Sequence, residues 1–186
     1  MTQTPSTVVF VSLTGDEEIK VYDLDSSSGA LRLRTTNPAH GPSGALFLHP
    51  TLDVLYDAHV ESTTLASFRL DKTTGQVTLL NSVDTGIGIP AHSVTDSQGR
   101  YLLTAYYGGG GITVHRLGKN GAIGEQVQHV QTGPKAHAVH ISPDDRFVIV
   151  PHVCPTNKTS QFRFDTETGL LTENEPAVLL PPDDDT

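Results

Sequence analysis

Ile19-Lys20-Val21-Tyr22-Asp23-Leu24 returns as Leu65-Ala66-Ser67-Phe68-Arg69-Leu70, as Ile112-Thr113-Val114-His115-Arg116-Leu117, and as Thr159-Ser160-Gln161-Phe162-Arg163-Phe164. Tyr22, Phe68, His115 and Phe162 stand 46, 47 and 47 residues apart. A turn glycine follows each copy, at Gly29, Gly75, Gly121 and Gly169. Strand-rich units of this period cannot bury their apolar faces alone. They stack as the blades of a β-propeller.

Working outward from the second copy, the sequence predicts strands over Ala45–His49, Val54–Val60, Leu65–Leu70 and Gln76–Val83. The third repeat gives Ser93–Asp96, Tyr101–Tyr107, Ile112–Leu117 and Ala122–Gln131. The fourth gives His137–Ile141, Phe147–Val153, Thr159–Phe164 and Leu170–Leu180. These runs are rich in Val, Leu, Ile, Phe, Tyr and Thr, and no window carries a helical stripe. The first repeat gives only Val8–Leu13, Ile19–Leu24 and Ala30–Thr35, so its innermost strand is missing. The C-terminal Pro181-Pro182-Asp183-Asp184-Asp185-Thr186 is no substitute, because a central strand does not tolerate paired prolines. The expected fold is all-β, with about four blades of four antiparallel strands and about 15 strands in total. Blade 1 is incomplete over 7–37; blades 2, 3 and 4 cover 41–85, 88–132 and 133–182. This arc reads as an N-terminal part of a larger ring.

Composition narrows the function. The chain has 186 residues, 36% hydrophobic and 18% charged, with 17 Gly and 12 Pro, as a soluble, turn-rich domain requires. Formal net charge is -9 and no basic stripe is present, which argues against a nucleic-acid partner. No run reaches 18 apolar residues, and Met1-Thr2-Gln3-Thr4-Pro5 lacks a basic, apolar leader, so neither membrane insertion nor export is expected. The single cysteine, Cys154, fits a reducing compartment and a cytoplasmic location.

Several motifs read as structure. Asp25-Ser-Ser-Ser-Gly29, Asp71-Lys-Thr-Thr-Gly75 and Asp165-Thr-Glu-Thr-Gly169 lack alternating acidic ligands and are hairpin turns, not calcium loops. Gly108-Gly109-Gly110-Gly111 joins two strands with no helix to hold a phosphate, so it too is a turn. Arg100 and Arg146 are expected to pair with Asp96 and Asp144. No Gly-x-Ser-x-Gly elbow is present.

The histidines carry the chemistry. His92 and His137 each follow a Pro-bearing crossover and open an innermost strand, so they are expected at equivalent places at one mouth of the central channel. Lys135 is next to that mouth. His59, Tyr106 and His152 form a second equivalent series near the ends of the second strands, which makes Tyr106 and His152 candidate substrate contacts. A metal site of His92, His137 and His140 is a minor reading; no metal or cofactor is expected.

Gly133-Pro134-Lys135-Ala136-His137-Ala138-Val139-His140-Ile141-Ser142-Pro143-Asp144-Asp145-Arg146-Phe147 resembles a stretch of the seven-bladed propeller lactonases of the 6-phosphogluconolactonase type. So do Gly99-Arg100-Tyr101-Leu102-Leu103-Thr104-Ala105-Tyr106-Tyr107-Gly108-Gly109-Gly110 and Phe162-Arg163-Phe164-Asp165-Thr166-Glu167-Thr168-Gly169. The resemblance runs from Val8 to Pro182. It implies a small-molecule sugar lactone as substrate and a place in the pentose phosphate pathway, and the muconate relatives imply His137 as the catalytic residue; His92, Tyr106, His152 and Lys135 are the candidate substrate contacts by their places in the blades. The muconate cyclase relatives imply that Arg and Glu partners come from later blades, so little catalysis is expected of this span alone. Two other readings stay open: a carboxymuconate cyclase-like enzyme, and a propeller that only binds a partner.

Overall fold

A computed structural model of the chain describes residues 7–181. Met1–Pro5 and Pro182–Thr186, on which the readings of the two chain ends rested, lie outside the described residues, as does the last residue of the expected fourth blade. Every regular element among the described residues is a strand, and there are 15. Blade 1 holds β1 (Thr7–Leu13), β2 (Glu18–Leu24) and β3 (Leu31–Pro38). Blade 2 holds β4 (Ala45–Leu48), β5 (Val54–Ala58), β6 (Thr64–Leu70) and β7 (Val77–Asp84). Blade 3 holds β8 (Pro90–Thr95), β9 (Tyr101–Tyr106), β10 (Gly111–Leu117) and β11 (Ile123–Val130). Blade 4 holds β12 (His140–Ile141), β13 (Phe147–Pro151), β14 (Thr159–Asp165) and β15 (Leu170–Leu179). Each blade is one antiparallel meander in sequence order, and blade 1 has three strands. Innermost strands β4, β8 and β12 lie side by side, which sets the blades radially around one axis.

Period-two alternation explains the stacking, because successive residues of a strand face opposite neighbours. On β5, Leu55 joins Ile19 and Phe68 in the layer between blades 1 and 2. Its neighbours Val54 and Tyr56 join Leu102 and Ile123 between blades 2 and 3. On β9, Tyr101 and Leu103 turn the other way, to Val148, Val150, Phe162 and Phe164 of blade 4. Strands β5 and β9 are therefore buried along their whole length, as strands covered on both faces must be. Strand β13 is covered on one face only, and Ile149 is 41% exposed on the other.

Polar ties reinforce the stack. Asn81 donates Nδ2–H to the Ile123 carbonyl (2.7 Å) and accepts from Ile123 N–H at Oδ1 (3.1 Å). Gln128 does the same to Leu171, at 3.2 and 2.7 Å. Asn37 reaches the Gly75 carbonyl (3.2 Å) and Val77 N–H (3.1 Å). In each case an amide on the outermost strand takes backbone groups at the start of the next blade's outermost strand, where the edge would otherwise be bare. Tyr56 Oη and Tyr101 Oη donate to the Gly121 and Glu167 carbonyls of the following blade's hairpin turn, at 2.9 and 3.0 Å.

The turns behave as their residues dictate. Asp71 Oδ1 accepts from Thr73 N–H (2.8 Å) and Thr74 N–H (3.2 Å), and Gly75 takes φ +78°. Asp25 and Asp165 repeat the pattern with Gly29 and Gly169. Arg100 and Arg146 bond Asp96 (3.2 Å) and Asp144 (2.6 Å). Several strands end a residue or two short of the expected ranges, and one is cut back much further. The innermost strand of blade 4 is laddered only at His140–Ile141, with an isolated bridge from Ala136 to His152.

Candidate active site at the inner mouth

One end of the arc is built from the crossovers entering β8 and β12 and the turns leaving β9 and β13. A staircase of backbone bonds joins them. Tyr107 N–H donates to Ile89 O (2.8 Å), Lys135 N–H to Tyr107 O (3.1 Å), and Val153 N–H to Lys135 O (3.2 Å). His137 N–H donates to Pro151 O at 3.0 Å. Ile89 and Lys135, at matching steps, have φ of +57° and +60°, a conformation that side chains other than glycine rarely adopt. Gly110 (φ +70°) backs the staircase: a Cβ there would stand 2.4 Å from Gly133 O.

His137 is exposed at this mouth. Its ring meets Tyr107 edge-on, at 5.9 Å and 78°. Lys135 Nζ lies 5.7 Å from the centre of the same Tyr107 ring. His92 is half-buried, 5.4 Å from the His140 ring, with Nδ1 3.5 Å from Val139 N–H. Burial first, and then the neighbouring His140 and His137 rings, push the His92 imidazole below its ordinary value, so it favours the neutral form. The structure thus brings His137, Lys135 and His92 to one mouth. It adds Tyr107, the last residue of the strand predicted over Tyr101–Tyr107.

The expected equivalence of His92 and His137 needs correction. Pro90 faces Tyr106, and His92 faces Ala105 after a bulge. Ala136 faces His152, the counterpart of Tyr106. His137 therefore matches Ala91, and His92 matches Ala138. Both inner strands hold one extra residue against their partners, Pro90–Thr95 against Tyr106–Leu102 and Ala136–Ile141 against His152–Val148, so the bulge is shared and the two imidazoles reach the mouth from successive steps.

The other two expected contacts are placed differently. Tyr106 is fully buried, with its hydroxyl 3.1 Å from Thr113 Oγ1, and burial pushes its phenol upward. His152 is also buried; its Nδ1 lies 2.9 Å from Pro134 O, so this nitrogen carries the proton and supports the crossover from beneath. The third member, His59, has Nδ1 2.7 Å from Thr64 Oγ1 and Nε2 3.7 Å from Asp57 Oδ2. Asp57, whose carboxyl burial pushes up, accepts from Ser43 Oγ (2.6 Å) and Gly44 N–H (2.9 Å). This series props the mouth and does not line it. The Ser43–Asp57–His59 grouping resembles a nucleophilic triad only in composition, since Ser43 bonds the carboxylate and is fully buried.

Among the described residues no three His, Cys, Asp or Glu side chains are grouped as metal ligands, and His137 turns to Tyr107 while His92 and His140 face each other. A cavity of about 310 Å³ lies between blades 1 and 2, lined by Val8, Phe10, Leu48 and His49, at the end opposite His137. It holds none of the mouth residues.

Radial four-stranded meanders with side-by-side inner strands define a sector of a β-propeller. Residues 7–184 match the family described as lactonase, 7-bladed beta-propeller, and the chain belongs to that family. It is 28% identical over 173 residues to a 6-phosphogluconolactonase of Serratia proteamaculans, covering 92% of this chain and 50% of that protein. A 6-phosphogluconolactonase of Klebsiella pneumoniae is 28% identical over 171 residues, with the same coverage of 92% and 50%. The chain thus spans about half the length of these relatives. A solved structure from Bacteroides fragilis superposes with a TM-score of 0.85 at 19% identity, covering 97% of this chain and 56% of that one. The periplasmic gluconolactonase of Pseudomonas aeruginosa superposes at 0.79 with 22% identity, covering 95% and 56%. At these identities the superpositions show the fold.

Proposed function

We propose that this chain forms the His137-bearing sector of a propeller that hydrolyses sugar lactones, with 6-phosphogluconolactone as substrate and the pentose phosphate pathway as setting. The observation that carries the reading is an exposed imidazole at the inner mouth, fixed through its backbone to Pro151 and through its ring to Tyr107. Family membership and the 6-phosphogluconolactonases among its relatives support it. A cytoplasmic location belongs to the same proposal and rests on the single cysteine.

The chemistry follows from the ester. Water attacks the lactone carbonyl carbon while neutral His137 takes one of its protons. The tetrahedral oxyanion collapses, the bond to the ring oxygen breaks, and the imidazolium returns the proton to the departing alkoxide. The product is one hydroxy acid, with no group lost. His92, kept neutral by burial, serves as a hydrogen-bonding contact to the substrate. Among the described residues Arg100 and Arg146 are held by Asp96 and Asp144 at the end opposite this mouth.

The test is lactone hydrolysis by the longer protein that carries this span, comparing His137→Ala with the parent. Loss of a general base lowers kcat by about 10²–10⁴-fold. Because His137 is exposed, the thermal transition should stay in place. Unchanged kcat sinks the proposal.

A further inference from the structure

Charge on blades 3 and 4 is segregated by end. The mouth segments, residues 85–95, 106–111, 131–140 and 152–159, contain Lys135, Lys158 and four histidines, and no Asp or Glu. Turns at the opposite end carry Asp96, Asp144, Asp145, Asp165 and Glu167. A chain with formal net charge -9 thus keeps carboxylates out of these four segments; Glu173, on the outermost strand of blade 4, lines a hollow that Lys158 also lines.

Two lysines bracket the crossover at that rim. Lys135 is part of it, with Nζ over Tyr107 and beside the ring that holds His137. Lys158 reaches it from the turn leaving β13, with Nζ 3.5 Å from where a Cβ on Gly133 would sit. Neither lysine takes part in an ion pair among the described residues. The left-handed backbone at Lys135 would suit glycine best. Ile89 shows that the crossover imposes this conformation at the same step of blade 3, and blade 4 places a cation there.

We propose that Lys135 and Lys158 form an oxyanion subsite on the rim beside His137. Its ligand is the carboxylate that ring opening creates, or an acidic substituent already present on the lactone. The identity of the ligand rests on the lactonase reading; the subsite itself does not. Two ammonium groups on flexible stems act as point charges, so either oxyanion satisfies them, and binding weakens with salt.

The experiment titrates this chain with 6-phosphogluconate, gluconate, inorganic phosphate and glucose, and follows the imidazole Cε1–H resonances by NMR. The expected result is a saturable shift of His137 with the acids and none with glucose, weakened by added salt. Lys135→Gly suits the backbone and removes only the cation; it and Lys158→Ala should each bind about tenfold more weakly, with Lys135→Arg restoring affinity. Binding of gluconate assigns the subsite to the product carboxylate. Binding of phosphate and 6-phosphogluconate alone assigns it to a phosphate substituent. Unchanged acid binding in Lys135→Gly and Lys158→Ala, with His129 undisturbed as the folding control, overturns the proposal, as does glucose binding equal to that of the acids. Anion binding without lactone hydrolysis by the longer protein would remove the lactonase reading and leave the subsite.

Discussion

Replacing Asn81 by alanine tests the claim that side-chain amides hold one blade to the next. Asn81 makes three bonds: two to the backbone of Ile123 at 2.7 and 3.1 Å, and one from Ser67 Oγ at 2.6 Å. Ile123 and Ser67 are buried, so the orphaned groups gain no water in exchange. At about 1 kcal/mol for each lost bond, the substitution costs about 3 kcal/mol. With a urea dependence of about 2 kcal/mol per molar, the unfolding midpoint should fall by about 1.5 M. Asn120→Ala is the control: that side chain bonds only Ala122 N–H, at 3.2 Å in an exposed turn. Its midpoint should move by less than about 0.3 M. Far-UV circular dichroism during urea titration reads both. Equal midpoints for the two variants would refute the reasoning, because the amide would then be a surface group.

Two further outcomes are expected. Burial holds the His115 imidazole down at about 4, so as pH falls the unfolded chain takes up this proton first; the stability His115 contributes is whole above about 6.5 and is lost as pH falls from there toward 4. The slope should approach about 1.4 kcal/mol per pH unit and flatten in His115→Gln, as read by urea midpoints at several pH values. Gly110→Ala should destabilise more than Gly86→Ala: both have positive φ (+70° and +67°), but only the Gly110 Cβ would meet backbone, and the extra cost is about 1–3 kcal/mol. Thermal melts of the pair measure the difference.

The period of the apolar-aromatic strands made the blades legible, because each strand is a local pattern repeated four times. The hairpin turns were legible for the same reason: Asp71 and Gly75 do locally what their side chains allow. The mouth was legible only in part. His137 and Lys135 lie where the crossover points them, but His92 stands one step further along its strand than His137, an offset that only the pairing of each inner strand with its neighbour reveals. Tyr106 and His152 read as strand-end polar residues, and only packing in three dimensions shows them buried. Asn81 and Gln128 carry no local signal that would single them out within the predicted outermost strands. Their role depends on a neighbour 42 or 43 residues away, which no local pattern reports. Asp57 was the one such residue with a sequence signal, a carboxylate inside the run Val54-Leu55-Tyr56-Asp57-Ala58.

The most direct measurement is histidine footprinting with diethyl pyrocarbonate, mapped by mass spectrometry on the folded chain. His137 and His140, exposed at the mouth, should react fast, and 6-phosphogluconate should slow His137. His59, His115 and His152, each less than a tenth exposed, should stay unmodified until the chain unfolds. A His137 that reacts as slowly as His59, or a His152 that reacts as fast as His137, would contradict the account.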